Sequence, residues 1–425
     1  MNNISILLAE PRNVGDLYPF SILHCLWELR CGALRLFEKY GRYFPEASLH
    51  FAGRTGHVAS FIARHYPQTG IAFPSAEILV ILSGNILPDA EFVASLNVTE
   101  SGDGFLLENK DEEIVGAILR GVSARSFTAE LAAASGDVFF DDALQIAARY
   151  VSVRRKIPVR ILRYMWDALE NNGCAITADA RIFGKTTPFR SDPASAVVGV
   201  NEASIFAADS AEIAPGVILD ATDGPILISE NVRIMANSVI IGPCAIGANS
   251  IIKIGAKIYG DTSFGEFCKI GGEIENSIVQ AFSNKQHDGF LGHSYLGEWA
   301  NLGADTNTSD LKNTYAPIVI RLEGRRVATD RIMLGLLCGD HTKSGINTMF
   351  TTGTVVGVSS SVVGADYAPS VIPSFSFGGQ AEAPVYNIER ALDVARVVMA
   401  RRGKMLLVEE EVLLRKEYER VTAGD

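Results

Sequence analysis

ISENVRIMANSVIIGPCAIGANSIIKIGAKIYGDTSFGEFCKIGGEI, residues 228–274, repeats itself every six residues. Ile228, Ile234, Ile240, Ile246, Ile252, Ile258, Phe264 and Ile270 stand six apart. Four places after each comes Val232, Ser238, Cys244, Ser250, Ala256, Thr262, Cys268 or Ile274, mostly small. A helix repeats near 3.6 residues and a strand at 2, so neither explains this pattern. A six-residue repeat marks a β-solenoid. Each side of a coil takes one hexad, the bulky residue points to the axis, and only a small residue fits at the next corner. The repeat is scaffold, and chemistry is expected where it is interrupted.

The phase breaks after Ile270, across EIENSIVQAFSNKQHDG, and resumes with Phe290, Leu296 and Leu302 as inward residues. It breaks again across NTSDLKNTYAPIVIRLEGRRVATD and returns at Ile332, Cys338, Ser344, Phe350, Val356 and Val362. Leu302 and Ile332 differ by a multiple of six, so this second break reads as a loop or irregular coil inserted without loss of register. Ile205, Ile213 and Val217 suggest leading coils, which places the solenoid domain at 186–380.

A chain of 425 residues is long enough for two or three domains. Its 48% hydrophobic and 20% charged residues describe a globular protein. A net charge of −11 argues against sequence-independent nucleic-acid binding, which needs clustered Lys and Arg. No apolar run approaches the roughly 20 residues of a membrane helix, and MNNISILLAEPRN does not read as a signal peptide, so a cytoplasmic protein is expected. The six cysteines form no CxxC pair. Cys244 and Cys268 fall on small corner positions and Cys338 on an inward one, which points to packing rather than thiol or metal chemistry.

Residues 1–185 alternate strand-like and helix-like segments. ISILLAE, SLHFAG and AEILVILSG read as strands. CLWELRCGALRLFEKYGR, FTAELAAA, DDALQIAARY and RYMWDALENN read as helices. That alternation predicts an α/β, Rossmann-like domain with a mainly parallel sheet, whose ligands bind beyond the carboxyl ends of the strands. RNVGD and SGNILPD then lie at a candidate site. Residues 381–425 end in one helix, about 387–420, with an apolar stripe through Ala391, Leu392, Ala395, Val398 and Met399.

His287 is the first candidate for chemistry, because a loop on a rigid frame can present a base active near pH 7. The hexapeptide repeats, the K-x-H of the broken loop, a motif like H-x-x-Y-L-G, and Asn301-Leu302-Gly303-Ala304-Asp305-Thr306 resemble the acyltransferase half of the bifunctional N-acetylglucosamine-1-phosphate uridyltransferase/glucosamine-1-phosphate acetyltransferase family. SNKQHDGFLG at 283–292, GEWANLGADTN at 297–307, GDHTKSGINTMF at 339–350 and the later IPSFSFGG resemble a divergent bacterial branch of it. Arg12, LYPFS, ELRCG and MWDALENNG carry a weaker likeness through the first half.

That resemblance implies a left-handed β-helix, a homotrimer, and an acyl site in the groove between adjacent solenoids. His287 would deprotonate a sugar amine for attack on acetyl-CoA. Lys285, Asp288, Phe290 and Asn301 would contact the acceptor, and Gly303 and Ala304 the thioester and its arm. Phe290 stands where better-known members have a substrate-binding tyrosine, which leaves the acceptor open. In the first half the resemblance implies transfer of a nucleotidyl group from a nucleoside triphosphate to a sugar 1-phosphate with magnesium. The usual Gly-rich loop is reduced to Gly15, so Arg12 and Lys39 would take the basic roles. Asn85 stands at the usual metal position, which moves the metal ligand to Asp89.

Three alternatives stay open. The first half could be a remnant beside a single-function acyltransferase. His287, His293 and His341 could hold zinc as in trimeric γ-type carbonic anhydrases, although their spacing does not match. Both folds could also serve a non-catalytic sugar-nucleotide-binding assembly.

Overall fold

The computed structural model describes residues 4–67, 77–98, 102, 104–134, 136–183, 187–191, 196–380 and 382–424. The boundary expected between residues 185 and 186, and residue 381, lie outside them.

The N-terminal strands are β1 (Ile4–Ala9), β2 (Ser48–Ala52), β3 (Ile78–Ser83), β4 (Ile86–Leu87), β5 (Gly104–Glu108), β6 (Ile114–Arg120), β7 (Arg154–Lys156) and β8 (Arg160–Ile161). Six of them form one sheet in the order β2-β1-β3-β6-β5-β7. β1 runs parallel to both β2 and β3, but β6 is antiparallel to β3 and to β5. Five of the six strands therefore run the same way and β6 alone in this sheet runs against them, so the sheet is mainly parallel with one antiparallel strand. The hairpin between β5 and β6, turned through Glu112 at φ 67°, reverses the chain where a helical crossover would have kept it parallel. β3 is buried along its whole length and β6 almost so, as expected for strands covered on both faces.

The domain's helices are α1 (Leu36–Tyr43), α2 (Thr55–His65), α3 (Ala90–Leu96), α4 (Gly121–Ala133), α5 (Phe140–Ala147) and α6 (Met165–Asp179). The long helix expected over CLWELRCGALRLFEKYGR is confined to α1. Ahead of it lie a single 3-10 turn at Leu26–Glu28 and extended chain. Gly32, at φ 84°, presses against α6, where an added Cβ would collide with Asp179 and lie 2.9 Å from the Ala175 carbonyl carbon. Close packing overrides local propensity there.

The second domain is a left-handed β-helix. Along one side Ile228 pairs with Ile246, Phe264, Val279, Leu296, Cys338, Val356 and Ile372 in turn. The other two sides carry Ile234-Ile252-Ile270-Lys285 and Leu219-Ile240-Ile258-Ile274-Leu291. These side chains, Lys285 apart, form one continuous buried column. Ile274 thus belongs to an inward row. The inward residue after the first break is Leu291 and not Phe290, because the coil there is shortened and the phase shifts by one. Ile332 is 48% exposed and lies outside the column. The second break is a β-hairpin, Val319–Leu322 with Arg325–Ala328.

The two domains share a core. The outward residues Ile278, Tyr295, Leu337 and Val355 of one solenoid side, with the hairpin's Ile318, Ile320 and Leu322, pack against Leu17, Phe20, Leu29, Trp166 and Leu169. The C-terminal segment is two helices, α7 (Ile388–Ala400) and α8 (Val408–Ala423), and not one; Gly403 at φ 67° lies in the connector between them. Among the described residues no helix is long and apolar enough to cross a membrane.

Candidate functional site

His287 and Asp288 lie exposed on the loop that interrupts the first run of coils. The structure stacks that loop on the next coil. Asp305 N donates to the Asp288 carbonyl at 3.1 Å, Asn284 Nδ2 donates to Asn301 Oδ1 at 3.3 Å, and Phe290 N donates to Asn307 Oδ1 at 2.8 Å. His287, Asp288, Phe290, Asn301, Gly303 and Ala304 are thus on neighbouring turns. Gly303 N already donates to Ser344 Oγ at 3.0 Å, and the Ala304 carbonyl accepts from Asn347 N at 2.8 Å.

Lys285 does not contact the acceptor as expected, because it is buried. Its side chain points into the solenoid at the position held above it by Ile270, and it is 1% exposed. Its ammonium donates to the carbonyls of His287 at 2.5 Å, Asp288 at 3.1 Å and Gly271 at 3.3 Å, and burial pulls its pKa down to about 8. A lysine held in this way braces the His287 loop and is not presented to a sugar phosphate.

A better-built histidine lies six residues on. His293 Nδ1 is 2.7 Å from Asp310 Oδ2. Asp310 reaches it because Gly292 has no side chain: a Cβ there would collide with the carboxylate. Burial pushes the pKa of nearby Asp261 up, opposed in part by its proximity to the same ring. His293 lines a cavity of about 210 Å³ together with Trp166, Leu169, Asn276, Arg331 and Met333. Asn276 Oδ1 is buried there without a hydrogen-bond partner among the described residues. A ring oriented at Nδ1 by a carboxylate leaves Nε2 to accept a proton, and an unpaired buried carbonyl oxygen calls for a ligand N–H or O–H. The signal available in the sequence was positional: His293 takes a left-handed corner, at φ 44°, where the preceding coils place Asn276 and Asp261.

The three histidines considered for zinc do not converge within one chain. His293 precedes the strand Tyr295–Leu296, whereas His341 follows the strand Leu336–Cys338 that pairs with it. His341 stacks with Trp299 at 6.3 Å, and His287 is on the exposed loop. Among the described residues no group of three His, Cys, Asp or Glu could hold a metal.

In the first domain the candidates separate. Arg12 follows the carboxyl end of β1, is 59% exposed, contacts Asp142 at 2.5 Å and lies over the Phe139 ring. Lys39 is fully buried and bonded to both carboxylate oxygens of Asp179, so it is not the phosphate-facing lysine expected. Asp89 caps α3 by accepting from Phe92 N at 2.9 Å and pairs with Arg160 through its other oxygen. Asn85 is buried, accepting from Ser83 Oγ at 2.7 Å and donating to the Leu162 carbonyl at 3.0 Å. This donor set does not fit magnesium, which takes carboxylate oxygens free to coordinate, and no metal-dependent step is assigned to Asp89. The loop after β1 is covered by the solenoid's hairpin, through Arg325 to Asp16 at 2.7 Å and Glu323 beside Gly15.

Residues 6–187 match the family described as sugar nucleotidyl transferase. The chain is 34% identical over 94 residues to the bifunctional protein GlmU of Methanococcus maripaludis strain C5, covering 22% of each chain. It is 31% identical over 147 residues to the uncharacterized acetyltransferase YaiX of Escherichia coli K12, covering 34% of this chain and 64% of that one. A bifunctional sugar-1-phosphate nucleotidylyltransferase/acetyltransferase of Sulfurisphaera tokodaii is 30% identical over 91 residues, 21% of this chain and 23% of that one. The chain spans about a fifth of the length of the GlmU proteins it matches.

Proposed function

We propose that this protein is a cytoplasmic transferase of nucleotide-sugar synthesis, assembled as a homotrimer, in which the β-helix transfers an acyl group from an acyl-CoA to a sugar amine and the first domain transfers a nucleotidyl group to a sugar 1-phosphate. The observation that carries the acyl half is the His293–Asp310 pair, 2.7 Å apart at the edge of a cavity with an unpaired Asn276 oxygen. His293 Nε2 takes the proton of the attacking amine as its nitrogen bonds to the thioester carbonyl. Asp310 stabilises the imidazolium, and the proton passes to the departing thiolate as the C–S bond breaks. Trp166, Leu169 and Met333 limit water around the reacting groups, and Asn276 Oδ1 accepts from an acceptor hydroxyl. This geometry favours His293 over His287, whose ring has no carboxylate partner among the described residues. His287, Asp288, Phe290, Asn301, Gly303 and Ala304 then serve the outer part of the acyl donor or acceptor.

The nucleotidyl half rests on the family match over residues 6–187, with Arg12 as its phosphate-facing cation and magnesium arriving with the triphosphate. A second reading, a first domain that keeps the fold without turnover, is favoured by the commitment of Lys39 to Asp179 and of Asp89 to Arg160. The test is pyrophosphate release over a panel of sugar 1-phosphates and nucleoside triphosphates with magnesium, beside thiol release from acetyl-CoA with amino-sugar phosphates. Both signals support the two-activity reading, thiol release alone supports the second, and neither signal sinks both.

A further inference from the structure

A cavity of about 410 Å³ lies where α1, α2, a corner of the solenoid and the α7–α8 connector meet. It shares no lining residue with the His293 pocket. Its lining includes Phe282 and Trp299, which stack in a column with Phe267 at successive left-handed corners, with centroids 5.3 and 4.2 Å apart.

Most charged groups around it are already paired. Arg35 bonds Glu266, Arg64 lies 2.8 Å from Glu28, and Glu410 Oε2 accepts from Leu407 N at 2.9 Å. Glu298 differs. It is 93% buried and lines the cavity, yet its carboxylate has no hydrogen bond and no ion pair within 4 Å among the described residues. Burial pushes its pKa up, and Arg35, His24 and Arg64 offset that only from a distance. A buried, unpaired acid resists ionising unless a cationic partner arrives. A phosphate or carboxylate ligand would be repelled by it. An ammonium would be held, and hydroxyls would suit the remaining polar rim, where Lys404 sits exposed 5.8 Å from the Phe282 ring centre.

We propose that this cavity binds a small hydroxylated amine of the amino-sugar class, with its ammonium paired to Glu298. Titration calorimetry of the full-length protein with glucosamine, and with glucose as the neutral match, tests it. Glucosamine is expected to bind at least tenfold more tightly, and Glu298→Gln to remove that preference. Met405 is 78% exposed at the cavity's rim, so Met405→Trp is expected to block binding while leaving the melting temperature unchanged. His293→Ala is expected to leave the binding in place. Equal binding of glucose, a preference that survives Glu298→Gln, loss of binding with His293→Ala, or no glucosamine binding would each overturn the proposal.

Discussion

At the level of single residues, the proposed roles of His293 and His287 predict different kinetic losses. His293→Ala is expected to lower kcat for acyl transfer by about 10²–10⁴-fold, the usual worth of a positioned general base, whereas His287→Ala changes KM more than kcat. Asp310→Asn should lower kcat with little change in acceptor KM, because it spoils the ring's tautomer and not the cavity; steady-state kinetics of the three variants decide this. His24 makes a second prediction. Burial opposes its charge, but Asp340, 2.6 Å from Nε2, and Glu28, 3.3 Å from Nδ1, hold its pKa at about 10 against 6.5 for a free ring. A folded pKa raised above the unfolded one gives stability that is full below pH 6.5 and lost as pH rises through about 10. Denaturant melts from pH 6 to 10 should show this loss in the parent and a flatter profile in His24→Gln.

At the level of elements, the coil is held by rows of identical geometry with little room between them. Gly303 stacks on Gly345 so closely that an added Cβ would collide with its carbonyl. Gly303→Ala should therefore destabilise the β-helix by about 1–3 kcal/mol through overpacking, read in equilibrium unfolding. The hairpin at Val319–Ala328 behaves otherwise. Its buried residues Ile320 and Leu322 seal the first domain's leading loop, while its contact from Arg325 to Asp16 is largely exposed on the arginine side. Most of the attachment is therefore apolar, since exposed ion pairs contribute about 0–1 kcal/mol.

At the level of the molecule, the shared apolar core joins two domains that a linear reading would separate. Within the first domain, Lys39 ties α1 to α6 through its buried pair with Asp179. Removing one member of its buried pair with Asp179 should cost about 3–5 kcal/mol of stability, measured by denaturant titration of Lys39→Ala. A variant that kept its stability but lost pyrophosphate release would return Lys39 to a catalytic role. The period of six was enough, without coordinates, to establish the β-helix and its inward rows up to Ile270, because a repeat of local geometry writes itself into local sequence. The strands β1 to β3 were legible for the same reason. The reversed direction of β6, the shortened coil that put Leu291 in place of Phe290 and turned Lys285 inward, the break between α7 and α8, and the pairing of His293 with Asp310 were decided in three dimensions. Each depends on which distant groups come into contact: Gly292 admitting Asp310, Asp179 meeting Lys39, and α6 pressing on Gly32. Such pairings leave no spacing rule along the chain.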